Sequence, residues 1–150
     1  MENVDADPVS HPTKYLRPDD PYFPCRGQNS INEGVCAFYA PRYFLKLHPR
    51  EYEEALAWCE TIEEGPRDAC VKGVGDVSIK QNITQPLFAQ DVCDKAVARR
   101  RHYCIEGLVS YYIVHFAAAS KGRELCEQLK DEHKDACNKI VKESEPYFPL

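Results

Sequence analysis

Eight cysteines, five histidines and 24 carboxylates are the residues of this chain whose types can do chemistry. The cysteines stand at Cys25, Cys36, Cys59, Cys70, Cys93, Cys104, Cys126 and Cys137, at successive intervals of 11, 23, 11, 23, 11, 22 and 11. Thiols ligate metals, cycle electrons or form structural disulfides, and spacing separates these uses. Zinc sites set cysteines about two to four residues apart or beside a matching Cys/His set. Catalytic dithiols favour Cys-x-x-Cys, and haem attachment needs Cys-x-x-Cys-His. The sequence has none of these patterns. His133 and Cys137 stand four apart, as a helical metal pair would, but a disulfide at Cys137 dissolves that pair. The other histidines, His11, His48, His102 and His115, fall in no catalytic motif, and no phosphate loop or nucleophile elbow is present. His115, on the most apolar segment, reads as a hydrogen-bonded core histidine. No catalytic residue, metal set or cofactor is therefore assigned.

The alternating intervals define a repeat of 33 to 34 residues, seen four times, the last copy incomplete. A period in that range marks a solenoid of helical hairpins, in which each unit buries its apolar face on the next. The segments AWCETIEEGPRDACVKG, DVCDKAVARRRHYCIEG and ELCEQLKDEHKDACNKI align, with an acid after the first cysteine (Glu60, Asp94, Glu127). Gly73 and Gly107 follow the second cysteine by three residues and suggest close helix–helix approach. Within CETIEEGPRDAC, Gly65 and Pro66 stop one helix and start another, which places Cys59 and Cys70 on either side of a tight turn. The long intervals turn near residues 47–51, 80–86 and 119–124. The fold class is all-α, a right-handed solenoid of antiparallel hairpins.

Two disulfide schemes fit this frame. One closes the short intervals, Cys25–Cys36, Cys59–Cys70, Cys93–Cys104 and Cys126–Cys137. The other closes the long ones and strands Cys25 and Cys137. Parity favours the first, in which each bond is worth roughly 2–3 kcal/mol of loop entropy. An uninterrupted helix through a short interval would instead present twin cysteines to a partner helix; the interval through Val97 and Ala98 lacks a breaker and leaves that arrangement open.

A net charge of −5 gives no support to a nucleic-acid role, and the basic run ARRRH at 98–102 reads as a solvated face. No apolar run reaches the ~20 residues of a membrane span. The segment LVSYYIVHFAAA at 108–119 reads as part of a buried central helix, and Tyr52, Ala55, Leu56 and Cys59 form one apolar face of another. No signal peptide opens the sequence, so an exported protein would here be a trimmed form with a start methionine. Persistent disulfides imply an oxidising compartment: extracellular, periplasmic or, alternatively, the mitochondrial intermembrane space. Asn82 opens an Asn-Ile-Thr glycosylation triplet in an expected loop.

Residues 1–24 hold five of the eleven prolines and read as an extended arm ahead of a repeat domain at 25–145 and a tail at 146–150. The tetrapeptide PYFP occurs at 21–24 and again at 146–149, as an end cap or as a docking motif. Interface candidates are its aromatics Tyr22, Phe23, Tyr147 and Phe148, together with Tyr39, Tyr43 and Phe44 of the aromatic first hairpin, where Pro41 marks a kink or a first turn.

EEALAWCETIEEGPRDACVKGV and, more weakly, YCIEGL resemble units of uncharacterised, exported, cysteine-rich repeat proteins of prokaryotes, with the pattern Ala-Leu-x-x-Cys…Cys-x-x-Gly-Val. Their His-Gly-x-Gly-His element is missing here, so the resemblance implies no catalytic residue. A looser likeness is to disulfide-stapled Sel1-like repeats. The expected function is a non-catalytic interaction or structural module, bound to another protein in an extracellular or membrane-attached assembly. The alternative is a haem- or metal-binding carrier or assembly factor, or an enzyme, with a site built from His115, His133 or surface acids.

Overall fold

The computed structural model describes residues 16–149. Among them the chain is all-helical, with α1 (Ser30–Leu47), α2 (Tyr52–Cys59), α3 (Pro66–Gln81), α4 (Pro86–Asp94), α5 (Arg101–Phe116), α6 (Ala119–Gln128) and α7 (Asp131–Ser144). Short 3₁₀ turns at Phe23–Cys25 and Ala98–Arg100 lead toward α1 and α5. None of these helices is long and apolar enough to cross a membrane.

All eight cysteines pair across the short intervals, with Cα–Cα separations of 5.4 Å (Cys25–Cys36), 5.6 Å (Cys59–Cys70), 5.4 Å (Cys93–Cys104) and 5.6 Å (Cys126–Cys137). The twin-cysteine arrangement is excluded because a helix break lies inside every short interval. Between α2 and α3, Gly65 adopts φ 101°, which its missing Cβ permits, and Pro66 opens α3. Between α4 and α5, Val97 is extended although neither Gly nor Pro stands there. Between α6 and α7, Leu129 and Lys130 are both extended.

The described residues fall into two compact units, one ending at Val74 and the other beginning at Gly75, so the boundary lies inside α3. In the first unit α1 packs on α2 and on the first 3₁₀ turn. α1 starts on an Asn29 cap, whose Oδ1 accepts from the Asn32 amide, and it continues through Pro41, an interior and buried residue rather than a first turn. Tyr52, Ala55, Leu56 and Cys59 form the buried face of α2, as their spacing implied. In the second unit α5 packs on α4, α6 and α7, and α6 packs on α7. Seven successive residues of α3, 73–79, are buried, including Asp76 and Ser78. Two glycines there allow close backbone approach: a Cβ on Gly73 would overlap the Phe38 carbonyl, and one on Gly75 would overlap the carbonyl of Cys104.

Several expectations change. The third long interval turns at Ala117 and Ala118, not at 119–124: Ala117 takes the left-handed conformation, φ 51°, without a glycine to signal it. Residues 119–124 are helical, and Gly122 packs against Ile113 and Val141. Of the expected arm, residues 1–15 lie outside the described residues. From Leu16, itself buried, the chain is folded rather than extended: Arg17 bridges to Asp20, and its guanidinium lies 3.6 Å above the centre of the Phe23 ring. The tail turns back, so that the Ala119 amide donates to the Pro149 carbonyl at 3.1 Å. Asn82 is buried, and its Nδ2 donates to the Ser78 carbonyl at 2.8 Å, so the folded chain does not present the triplet for glycosylation.

Packing sets how the disulfides and glycines respond to change. Cys36 is only half-buried, whereas the other seven cysteines are fully enclosed. Mild reduction followed by alkylation and peptide mapping should therefore label Cys25 and Cys36 first, while the other three links survive. Gly75→Ala should cost roughly 1–3 kcal/mol in denaturant unfolding, because the obstructing atoms are backbone. Gly34→Ala, with open space around it inside α1, should instead gain about 0.5–1 kcal/mol.

Candidate functional site

The short intervals carry the most organised polar chemistry. The loops beyond α2 and α4 carry backbone carbonyls that belong to no helix and are bonded by side chains of the following helix. Between α2 and α3, Arg67 Nε donates to the Ile62 carbonyl at 2.7 Å. Between α4 and α5, Arg101 Nε and Nη2 donate to the Ala96 carbonyl at 3.4 and 3.3 Å. Both arginines stand eight residues after the first cysteine of their repeat, and both carbonyls stand three after it. The basic run is thus divided: Arg99 is exposed, Arg100 is buried and Arg101 holds the loop. The solvated reading holds for Arg99 but not for buried Arg100.

Between α6 and α7 the loop is held from α4 instead. Gln90, buried, accepts the Lys130 amide at 2.7 Å. The Lys130 ammonium bonds Oδ2 of Asp94 and lies 3.9 Å from Asp91 Oδ1. His133 Nε2 meets Oδ1 of Asp94 at 2.7 Å and stands 3.8 Å from Glu132 Oε1. His133 is only 3% exposed, and Glu132 reaches it from the solvent side of the first turn of α7. Burial by itself would lift the Asp94 carboxyl, but hydrogen bonds from Lys130 and His133 and their charges outweigh it and hold the group below the usual carboxylate range. The hydrogen bond to Asp94 leads the causes that raise Lys130. Asp94, Glu132 and His133 each bring a ligand-capable atom within 4.8 Å of the others.

A second feature is aromatic. Over the last turns of α5, Tyr111 stacks on His115 (6.1 Å between centroids), Tyr112 meets Phe116 (4.8 Å), and His115 meets Phe116 edge-on (4.8 Å). Val114 is 58% and Phe116 42% exposed. The segment 108–119, expected to be wholly core, is buried at Leu108, Val109, Ile113 and Ala119 and open between them at 114–117. His115 is exposed and not a core histidine.

The proposed interface residues divide differently. Tyr22, Tyr43 and Phe44 are buried and offer no surface. Tyr22 donates to Glu33 at 2.7 Å, and Phe44 stacks on Trp58 at 5.0 Å, which explains how the aromatic first hairpin absorbs its own rings. Burial, then the bond to Glu33, drives the Tyr22 hydroxyl far above its ordinary range. Phe23, Tyr39 and Phe148 are half-buried, and Tyr147 is exposed. His48 faces Glu51 at 3.3 Å, and His102 contacts the Tyr103 ring. The pair His133–Cys137 does not form, because Cys137 is bonded to Cys126. An open cleft of about 490 Å³ is lined by Tyr22, Arg26, Glu33, Trp58, Ile62 and Glu63, but Arg26, paired with Asp20, lies over its Tyr22 wall.

Sequence reasoning missed the two loop arginines, although their shared register in two copies was a usable signal. It missed Asp94 and Glu132 as partners of His133; Asp94 lies 39 residues from it, and no local pattern links the two. Arg67→Ala should destabilise the chain by about 1–3 kcal/mol, measured by denaturant unfolding, because it leaves the Ile62 carbonyl without its charged donor. Asp94→Ala should cost a similar amount, about 1–3 kcal/mol, by stripping a partner from buried His133.

Scans of protein-family models and searches of curated proteins and of solved structures return no match to this chain.

Proposed function

We propose that this chain is a disulfide-stapled solenoid of antiparallel helical hairpins that binds another protein, as a structural or accessory module of an extracellular or periplasmic assembly. Four disulfides point to an oxidising, non-cytoplasmic compartment. The resemblance of residues 53–74 to exported cysteine-rich repeat units supports the same setting.

The aromatic ridge at the end of α5 carries the reading. Its four rings contact one another while Val114 and Phe116 remain open to solvent. Mutual stacking holds the side chains in place before any partner arrives, so less rotamer freedom is lost on binding. Aromatic side chains at such positions are where interface energy concentrates. Tyr147 adds a further exposed ring near the C-terminus.

A photoreactive phenylalanine analogue at position 116 tests the reading in the native extracytoplasmic fraction. It should cross-link to one defined protein, and the same probe at exposed Leu87 should not. Phe116→Ser and Val114→Ser should then weaken that association about tenfold or more without lowering the melting temperature. Equal cross-linking from positions 87 and 116, or unchanged association in both variants, would remove the ridge as the docking surface.

A further inference from the structure

We propose that Asp94, Glu132 and His133 form a binding site for one divalent transition-metal ion, zinc by preference, where the end of α4 meets the first turn of α7.

The ligand atoms are already nearly in place. His133 Nε2 stands 2.7 Å from Asp94 Oδ1 and 3.8 Å from Glu132 Oε1, and all three lie within 4.8 Å of one another. Zinc takes nitrogen and oxygen ligands at about 2.0–2.2 Å in a tetrahedron, which sets ligand atoms roughly 3.3–3.5 Å apart. Closing around an ion therefore opens the shortest of these separations by about 0.6–0.8 Å and draws in the widest by at most about 1.5 Å. Glu132 can supply the inward movement, because its side chain is exposed at the start of α7. The other two ligands are held in place by their surroundings and need only part slightly from each other. His133 is buried, and Asp94 has its second oxygen, Oδ2, held by Lys130. A carboxylate oriented through one oxygen and ligating through the other is a common arrangement around bound metals. When the ion enters, Nε2 gives up its contact with Asp94 and offers its lone pair, the ring proton residing on Nδ1.

The donor set also selects the ion. An imidazole nitrogen favours zinc, copper, nickel or iron over magnesium and calcium, which prefer all-oxygen cages. Two carboxylates balance a dication, and Asp91, beside Lys130, offsets the nearby ammonium. Three protein ligands leave a fourth position for water or a partner's side chain. The site has no counterpart in the preceding repeat, where Glu60, at the position of Asp94, faces Arg67 at 4.0 Å. Because every cysteine is oxidised, thiolates cannot compete for the ion.

The test uses the full, oxidised, chelator-treated chain and zinc ion alone. Calorimetry should show one saturable site of about micromolar Kd or tighter, and the melting temperature should rise with free zinc. In ring-nitrogen NMR, the His133 signals should move while those of His48, His102 and His115 stay. Glu132→Gln, whose exposed side chain leaves the fold intact, should retain the metal-free melting temperature and bind zinc at least about tenfold more weakly. His133→Gln should show the same loss, and if that variant fails to fold, Glu132→Gln alone decides. Absence of saturable binding below about 1 mM, or zinc affinity unchanged in Glu132→Gln, overturns the proposal.

Discussion

Each helix–turn–helix of this chain depends on one constraint, a disulfide drawn across eleven residues. An interval of that length holds the end of one helix, a connection of a few residues and the start of the next. Closing it brings the two backbones within 5.4–5.6 Å at the cysteines. The bond limits the unfolded chain, at roughly 2–3 kcal/mol for each loop. It also fixes which residues can reach the loop carbonyls at the break. Arg67 and Arg101 occupy that position in two repeats and bond the carbonyls of Ile62 and Ala96. The last carbonyls of α2 and α4 accept backbone amides of the turn, and the arginines tie down the loop carbonyls just beyond them.

Chemistry gathers where the repeat departs from its own pattern. In the last copy Lys134 stands where the two loop arginines stand, and it bonds Asp131 instead. The loop is then held by Gln90, Asp94 and Lys130, and His133 is buried against a carboxylate. The acid after the first cysteine keeps its place in three repeats, but its partners change from Arg67 to Lys130 and His133. A position that serves loop closure in one copy thus becomes part of a polar cluster in another.

The exposed aromatic ridge and the buried aromatic hairpin have opposite physical origins. Tyr43 and Phe44 are buried on α1, where Phe44 stacks on Trp58. The end of α5 runs past Ile113, its last buried residue, so Val114, His115 and Phe116 project beyond the packed part of the helix. The left-handed Ala117 then reverses the chain within two residues, and α6 begins at Ala119.

Much of the architecture was legible in the sequence because cysteine spacing and helix breakers act locally. The alternating intervals identified the disulfide pairing by parity, Gly65-Pro66 marked a helix boundary, and the spacing of Tyr52, Ala55, Leu56 and Cys59 identified a buried face. Tertiary structure alone decided the rest. α4 stops at Asp94 and α5 at Ala117 without the residues that ordinarily announce an end, while the contacts around those breaks, the Arg101 bond and the packing of Gly122 on Ile113 and Val141, lie elsewhere in the chain. Composition marked the apolar residues of α1 and α5 but not which neighbours cover them, so it misjudged the exposure of Tyr43, Phe44 and His115. The meeting of Asp94 with His133 has no signature in local order, because contact between residues 39 positions apart is a property of helix packing.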